Sequence, residues 1–345
     1  MYINNVRTYQ GSEDCLNTIR LIAALQVLFG HSTRWLDIPY SSTIGHLSAI
    51  FQGVPIFFML SGFLIWFSIG RSTSFKIYAL KRFWRIYPEL WVAVLFEIFV
   101  IILLYDGSID WGRLLLFGLS ECSFCVYVPV FLKNYGIGTP NGVLWTIFCL
   151  MKFYIIAYLA YKYMRGRPII QWIIILGLLI VLGYISNYLY LWDIPYIRFI
   201  WFQTTLPFLW LFMIGAFIAD KWLIFRSFFI KFWPGALLLS IIVEVTGIDI
   251  NCSDPDFGYY FIRSLATIVW ILGFAYSFPL LNLKTDISYP VYLYHMTIVQ
   301  VIYIMGYRNH FILLYIIVVV VLFLSYLSTR YVGTWSKRKK LLCVK

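Results

Sequence analysis

Apolar runs of about 20 residues, each with few or no charges, recur from one end of this 345-residue chain to the other. A run of that length is what a helix needs to cross a hydrocarbon layer about 30 Å thick. Hydrocarbon offers no hydrogen bonds, so only helices or closed barrels satisfy their own backbone there. The runs fall at 16–34, 48–69, 89–105, 144–163, 169–188, 199–219, 233–248, 258–278, 289–306 and 311–331. Composition agrees: 12% of residues are charged, where a soluble domain carries about 25%. The expected fold is an all-α, polytopic transmembrane bundle of about ten spans, built as a single domain over 1–345.

A net charge of +12 raises nucleic acid as a partner, but the basic residues form no single patch. They sit between the apolar runs: Lys81, Arg82 and Arg85; Arg165 and Arg167; Lys221, Arg226 and Lys231; and "SKRKK" at 336–340. Cytoplasmic loops carry such an excess of Lys and Arg. Ten spans with both termini cytoplasmic put all these clusters on the inner side, including a basic tail at 332–345, with a cytoplasmic N-terminal segment at 1–15. An eleventh span at 114–131 would invert every later loop, so that stretch is expected to be a re-entrant or surface helix within an outer loop, 106–143. The N-terminus does not read as a cleaved signal peptide. Cys122 and Cys125 form a CxxC with no second pair and no nearby histidine, a weak zinc signal. On the outer side that pair is also compatible with a disulfide, and no metal is expected.

Ionisable residues inside spans cost roughly 2.5–3.5 kcal/mol each on insertion scales and mark candidate functional positions. They are Arg20, His31, Glu97, Lys152, Glu244, Arg263 and His295. Arg20 and His31 are eleven residues apart, which at 100° per residue returns to nearly the same helix face, about 16 Å further along. The bland alternative is a snorkelling arginine and a helix-end histidine. In "DISYPVYLYHM" (286–296), Ser288, Tyr292 and His295 share one helical stripe, a pattern that suits a polar cavity better than lipid. The small residues of "GVPIFFMLSGFLI" (53–65), Ser61 among them, suit close helix packing. In "FKIYALKRFWRIYP" (75–88), Arg82 and Arg85 lie on one face, with Lys76 and Lys81 nearby. That loop reads either as an interfacial helix on anionic lipid or as a grip for phosphates. His46 and His310 read as solvated loop residues, and Glu97 and Glu244 as possible partners of Arg263 or Lys152.

Taken in order, these segments resemble the acyltransferase-3 family of integral membrane acyltransferases. The resemblance rests on "LNTIRLIAALQVLFGHS", on "GVPIFFMLSGFLI", on "LKRFWRIYPELW" and on "ISYPVYLYHMTIV", the first three lying in order within residues 16–91. One segment departs. In "NGVLWTIFCLMKFYII" (141–156), Trp145, Phe153 and Tyr154 fit, but Leu150 stands where the family commonly has a glutamate. The glutamate is then dispensable, replaced by a carboxylate such as Glu97 or Glu244, or lost together with a change of chemistry.

The resemblance implies a bacterial inner-membrane enzyme that moves an acyl group, most often acetyl, from cytoplasmic acyl-CoA to a sugar hydroxyl of a surface polysaccharide or its lipid-linked precursor. It implies His31 as general base, Arg20 as the group that positions the donor or stabilises negative charge, and Arg82, Arg85, Lys81 and Lys76 on the CoA phosphates. His295, Tyr292, Ser288 and Ser61 are secondary candidates. The expected partners are acyl-CoA, a glycan acceptor, membrane lipid and a second copy of the chain. Two rival classes share the polar spans: a transporter or flippase, which predicts inverted repeats that are not visible here, and a lipid-linked glycan polymerase.

Overall fold

The computed structural model describes residues 14–123, 127–191, 195–252 and 259–344. Among these residues fourteen α-helices run in order: α1 (Leu16–Trp35), α2 (Ser42–Ile50), α3 (Gly53–Gly70), α4 (Phe75–Leu104), α5 (Trp111–Glu121), α6 (Trp145–Met164), α7 (Ile169–Leu191), α8 (Pro195–Thr204), α9 (Leu206–Asp220), α10 (Trp222–Thr246), α11 (Phe261–Ser277), α12 (Ser288–Ile304), α13 (Ile312–Ser328) and α14 (Thr334–Val344). No strand occurs among the described residues, which hold only an isolated bridge between Asn251 and Tyr260. Helix occupies most of each of the ten apolar stretches, with α2 and α3 sharing 48–69 and α8 and α9 sharing 199–219. Among the described residues, six helical segments are long and apolar enough to cross a membrane by length and composition, while α9 and α11 are shorter apolar helices. The chain is a helical membrane protein.

Apolar side chains on the outside mark the faces turned to hydrocarbon. On α4, Trp91, Leu95, Phe99 and Leu103 are exposed, while Leu90, Val94, Glu97 and Ile101 are buried, a separation that follows the helical period. On α7 the exposed set is Ile170, Ile173, Ile174, Leu178 and Val181.

The chain divides into two compact units. The first takes residues up to Arg20, His46–Ser72 and Cys149–Lys284. Its tightest crossing joins α3 to α9: a Cβ on Gly62 would stand 1.9 Å from the Phe212 carbonyl oxygen, and one on Gly215 equally close to that of Met59. Backbone meets backbone there, which only glycine permits. Asp220, closing α9, ties the ends of three helices together by accepting from the Trp66 and Trp172 indoles and the Gly166 amide. Lys221 pairs with it at 2.8 Å. Three intramembrane ionisables find partners in this unit: Glu244 pairs with Arg263, and Lys152 donates to the Gln203 carbonyl at 2.6 Å. His46, expected to be a plain loop residue, contacts Glu244 at 3.2 Å.

The second unit takes Leu21–Gly45, Thr73–Phe148 and Thr285–Lys345, with α12 buried along nearly its whole length. Phe96 of α4 packs edge-on against Tyr294 at 5.7 Å. The chain between α5 and α6 is hydrogen-bonded to α12. Gln300 accepts from the Ile137 amide and donates to the Thr139 carbonyl, and Asn141 donates to the Leu293 carbonyl at 3.1 Å. Gly136, at φ +54, lies so close to Gln300 that a Cβ would fall 2.0 Å from its side-chain oxygen. Among the described residues of 114–131, the α-helix is α5, which has 11 residues, about 16 Å of helix. Cys122 is a free thiol, and Cys125 lies outside the described residues.

Two tests follow from this packing. Gly215→Ala forces the α3–α9 backbones apart and should cost on the order of 2 kcal/mol or more. Gly177→Ala, with nothing within 4 Å of its Cβ, should be neutral to slightly stabilising, by up to about 1 kcal/mol. Thermal midpoints in detergent distinguish the two. At the end of α5, burial and then the neighbouring Glu97 push the Glu121 carboxyl well above the usual range. A group that holds its proton more tightly when folded contributes stability at low pH and loses it as pH rises through the folded value. Glu121→Gln should therefore raise the midpoint at pH 8 and leave it nearly unchanged at pH 4.

Candidate active site

The site in the second unit is built on α12, whose start is capped locally. Asp286 accepts from the Ser288 amide at 3.0 Å and from the Ser288 hydroxyl, as an acidic side chain ahead of a helix does. Its other oxygen pairs with Arg85 of α4 at 2.7 Å. Arg85 also lies over the Tyr289 ring, 5.7 Å from its centroid, and the Tyr289 hydroxyl donates to the Ile86 carbonyl. The basic end of α4 is thereby fixed to the first turn of α12. Lys81 and Arg82 lie on the same stretch of α4, partly buried, and Lys76 is exposed near its first turn.

Seven residues beyond Ser288, about 10 Å up the helix, stands His295, which is fully buried. Its Nδ1 is 2.8 Å from the Tyr292 carbonyl oxygen and 3.2 Å from that of Val291. Its Nε2 is 3.0 Å from Nδ1 of His31 on α1, and the two rings are stacked within 11° of parallel. The carbonyls fix the protons. A carbonyl oxygen only accepts, so Nδ1 of His295 carries hydrogen, and in the neutral ring Nε2 is bare. The contact at Nε2 then needs a hydrogen on Nδ1 of His31, which leaves Nε2 of a neutral His31 as a free lone pair. His31 is partly exposed. The arrangement presents one oriented imidazole base, held in its tautomer by a second, buried imidazole.

The three-residue stripe divides by role. His295 meets His31. The Tyr292 hydroxyl instead contacts the Thr146 hydroxyl at 2.8 Å and the Val143 carbonyl at 3.2 Å, so it holds the start of α6 to α12, and Ser288 belongs to the cap. Arg20 and Ser61 belong to the first unit, each partly buried, Arg20 on the same helix as His31. Leu150 is partly buried on α6. Of the carboxylates considered in its place, Glu244 is committed to Arg263. Glu97 is 1% exposed and lies beside the Asn141 side chain and the Glu121 carboxyl. Asp286, Asn141 and Gln300 were given no role from the sequence. Only Asp286 left a signal there, an acidic residue just ahead of an apolar helix.

Comparison with known proteins bears on this arrangement. A family model described as an acyltransferase domain, Acyl_transf_3, matches residues 13–330. Nodulation protein 10 of Rhizobium leguminosarum bv. viciae is 29% identical over 328 residues, covering 87% of this chain and 86% of the relative. An O-acetyl transferase of Shigella phage Sf6 is 28% identical over 329 residues, 91% of this chain and 93% of that protein. No solved structure matches the chain. Matched over nearly all of its length, the chain belongs to the acyltransferase-3 family and is a membrane acyltransferase.

Proposed function

We propose that this protein is an O-acetyltransferase of the bacterial inner membrane, which transfers the acetyl group of acetyl-CoA to a sugar hydroxyl of a surface polysaccharide or its lipid-linked precursor. The name of the phage relative supports the acetyl group and the oxygen acceptor. The loop charges support an orientation with both termini, and the donor, on the cytoplasmic side.

The observation that carries this reading is the oriented base, the 3.0 Å contact of His31 with His295. In the step we assign to it, the acceptor hydroxyl oxygen attacks the thioester carbonyl carbon while its proton passes to Nε2 of His31. The negative charge moves onto the carbonyl oxygen of a tetrahedral intermediate. Collapse re-forms the carbonyl and breaks the C–S bond, and the departing sulfur takes the proton back from His31. His295 acts through His31 as a positioning residue, accepting its Nδ1–H throughout. Arg20 is assigned to the donor or to the developing oxyanion, since a guanidinium cannot serve as a base. Arg82 and Arg85, with Lys81 and Lys76, are assigned to the CoA phosphates.

Full-length protein in nanodiscs, given labelled acetyl-CoA and a glycan acceptor, tests the reading. His31→Ala should lower kcat by about 10²–10⁴-fold. His295→Phe removes the acceptor for Nδ1–H and should lower kcat by at least about tenfold, up to the 10⁴-fold of a wrong tautomer. His295→Gln offers an amide oxygen in place of Nε2 and should recover part of that loss. Full activity in His31→Ala would dismiss His31 as the base. Unchanged ester content of surface glycans after deletion of the gene would dismiss the acceptor class.

A further inference from the structure

The family match ends at residue 330, yet the chain continues into a defined structure. A short π-helix over Thr329–Gly333 re-phases the end of α13, and α14 follows it back along the basic half of α4. The Ser336 hydroxyl donates to the Trp84 carbonyl, and the Trp84 and Trp335 rings meet edge-on at 5.4 Å. Gly333 lies against Glu89, where a Cβ would come within 2.9 Å of a carboxylate oxygen. The apolar span ends before this helix begins, and its segment "SKRKK" is polar.

Seating α14 this way puts its lysines among the cations of α4. Lys340 is partly buried. Its charged form is opposed first by that burial and then by Arg82, Arg85, Lys81 and Lys337, which together push its ammonium down to about 8. The acidic groups facing the same cluster are Asp286, paired with Arg85, and Glu89, whose charged neighbours are Arg85, Asp286 and Lys337. Among the described residues, five cations thus face two carboxylates. Like charges gathered on two separate helices at the expense of a lysine's own ionisation match the needs of a multiply charged anion.

We infer that α14 is the second wall of a polyphosphate site, in which Lys337 and Lys340 complete with Arg82 and Arg85 a grip on the phosphates of the acyl-CoA donor. The inference rests on the donor reading above and adds to it a binding element outside the family match. Phosphate chemistry is shared by nucleotides and by anionic lipid headgroups. Position favours the nucleotide: the cluster adjoins the first turn of α12, on the helix that carries His295, so phosphates held there leave the acyl arm free to run toward the imidazoles. An anion bound at Lys340 needs its ammonium charged, so affinity should fall as pH rises through about 8.

The test is calorimetric binding of CoA to full-length protein in zwitterionic nanodiscs, repeated with 3′-dephospho-CoA and in nanodiscs containing phosphatidylglycerol. Lys337→Gln/Lys340→Gln should weaken CoA binding at least about tenfold, the loss of one charge-assisted contact or more, and raise the KM for acetyl-CoA by a similar factor. Arg338→Gln/Lys339→Gln removes equal charge from exposed positions on the same helix and should bind CoA as the wild type does. Lys340→Gln alone should flatten the fall in affinity between pH 7 and 9. The inference is overturned if both double variants weaken CoA binding equally, or if neither does. It is also overturned if the Lys337/Lys340 variant loses only an effect of phosphatidylglycerol, which would give the cluster to lipid. Wild-type protein that binds no CoA would remove the donor reading itself, a result distinct from binding that survives the substitutions.

Discussion

A solvent that offers no hydrogen bonds governs how this chain uses its polar groups. Nowhere is that clearer than on α12, where polar side chains sit at full depth and each does a separate job. His295 uses one nitrogen on its own helix and the other on α1, Tyr292 is bound to the start of α6, and Gln300 is bound to the loop before it. In water such contacts would compete with solvent for a net gain of about 1 kcal/mol each. Inside a protein that excludes water, a missed partner costs more than a made one returns. The second unit is therefore organised around satisfying one helix, and the oriented imidazole is a by-product of that same requirement.

That organisation also bears on the leucine at position 150. A catalytic base needs a group behind it that accepts the hydrogen on its far nitrogen, and carboxylates commonly fill that place. Here the far nitrogen of His31 already has an acceptor in Nε2 of His295. A neutral acceptor stabilises the imidazolium less than a carboxylate does, since bonds to ionised groups are roughly twice as strong. It also adds no buried negative charge. Glu97, buried next to the carboxyl of Glu121, is poorly suited to supply one.

What the sequence could disclose follows from what its patterns measure. Hydrophobic period and loop charge are local, and they located the helices and the stretches between them. Period also put Arg20 with His31, and Ser288 with Tyr292 and His295, on shared faces. It could not say which face meets which, because that depends on packing between distant segments. The His31–His295 contact spans 264 residues and the Arg85–Asp286 pair spans 201. The same limit explains Tyr292, whose hydroxyl meets the start of α6, and α14, whose basic residues read as a plain tail until their neighbours on α4 were visible.

The distance in sequence between the two histidines also has a meaning for how the protein is made. Helices enter a membrane in the order of synthesis, and α1 is among the first to arrive. His31 must wait for nearly the whole chain before α12 delivers the ring that fixes its tautomer. Until then it is an ordinary imidazole, free to take either tautomer, near water or headgroups. A chain cut short before α12 would lack the ring that orients His31. Biogenesis thus sets an order of events: the tautomer of His31 is fixed only once α12 has arrived.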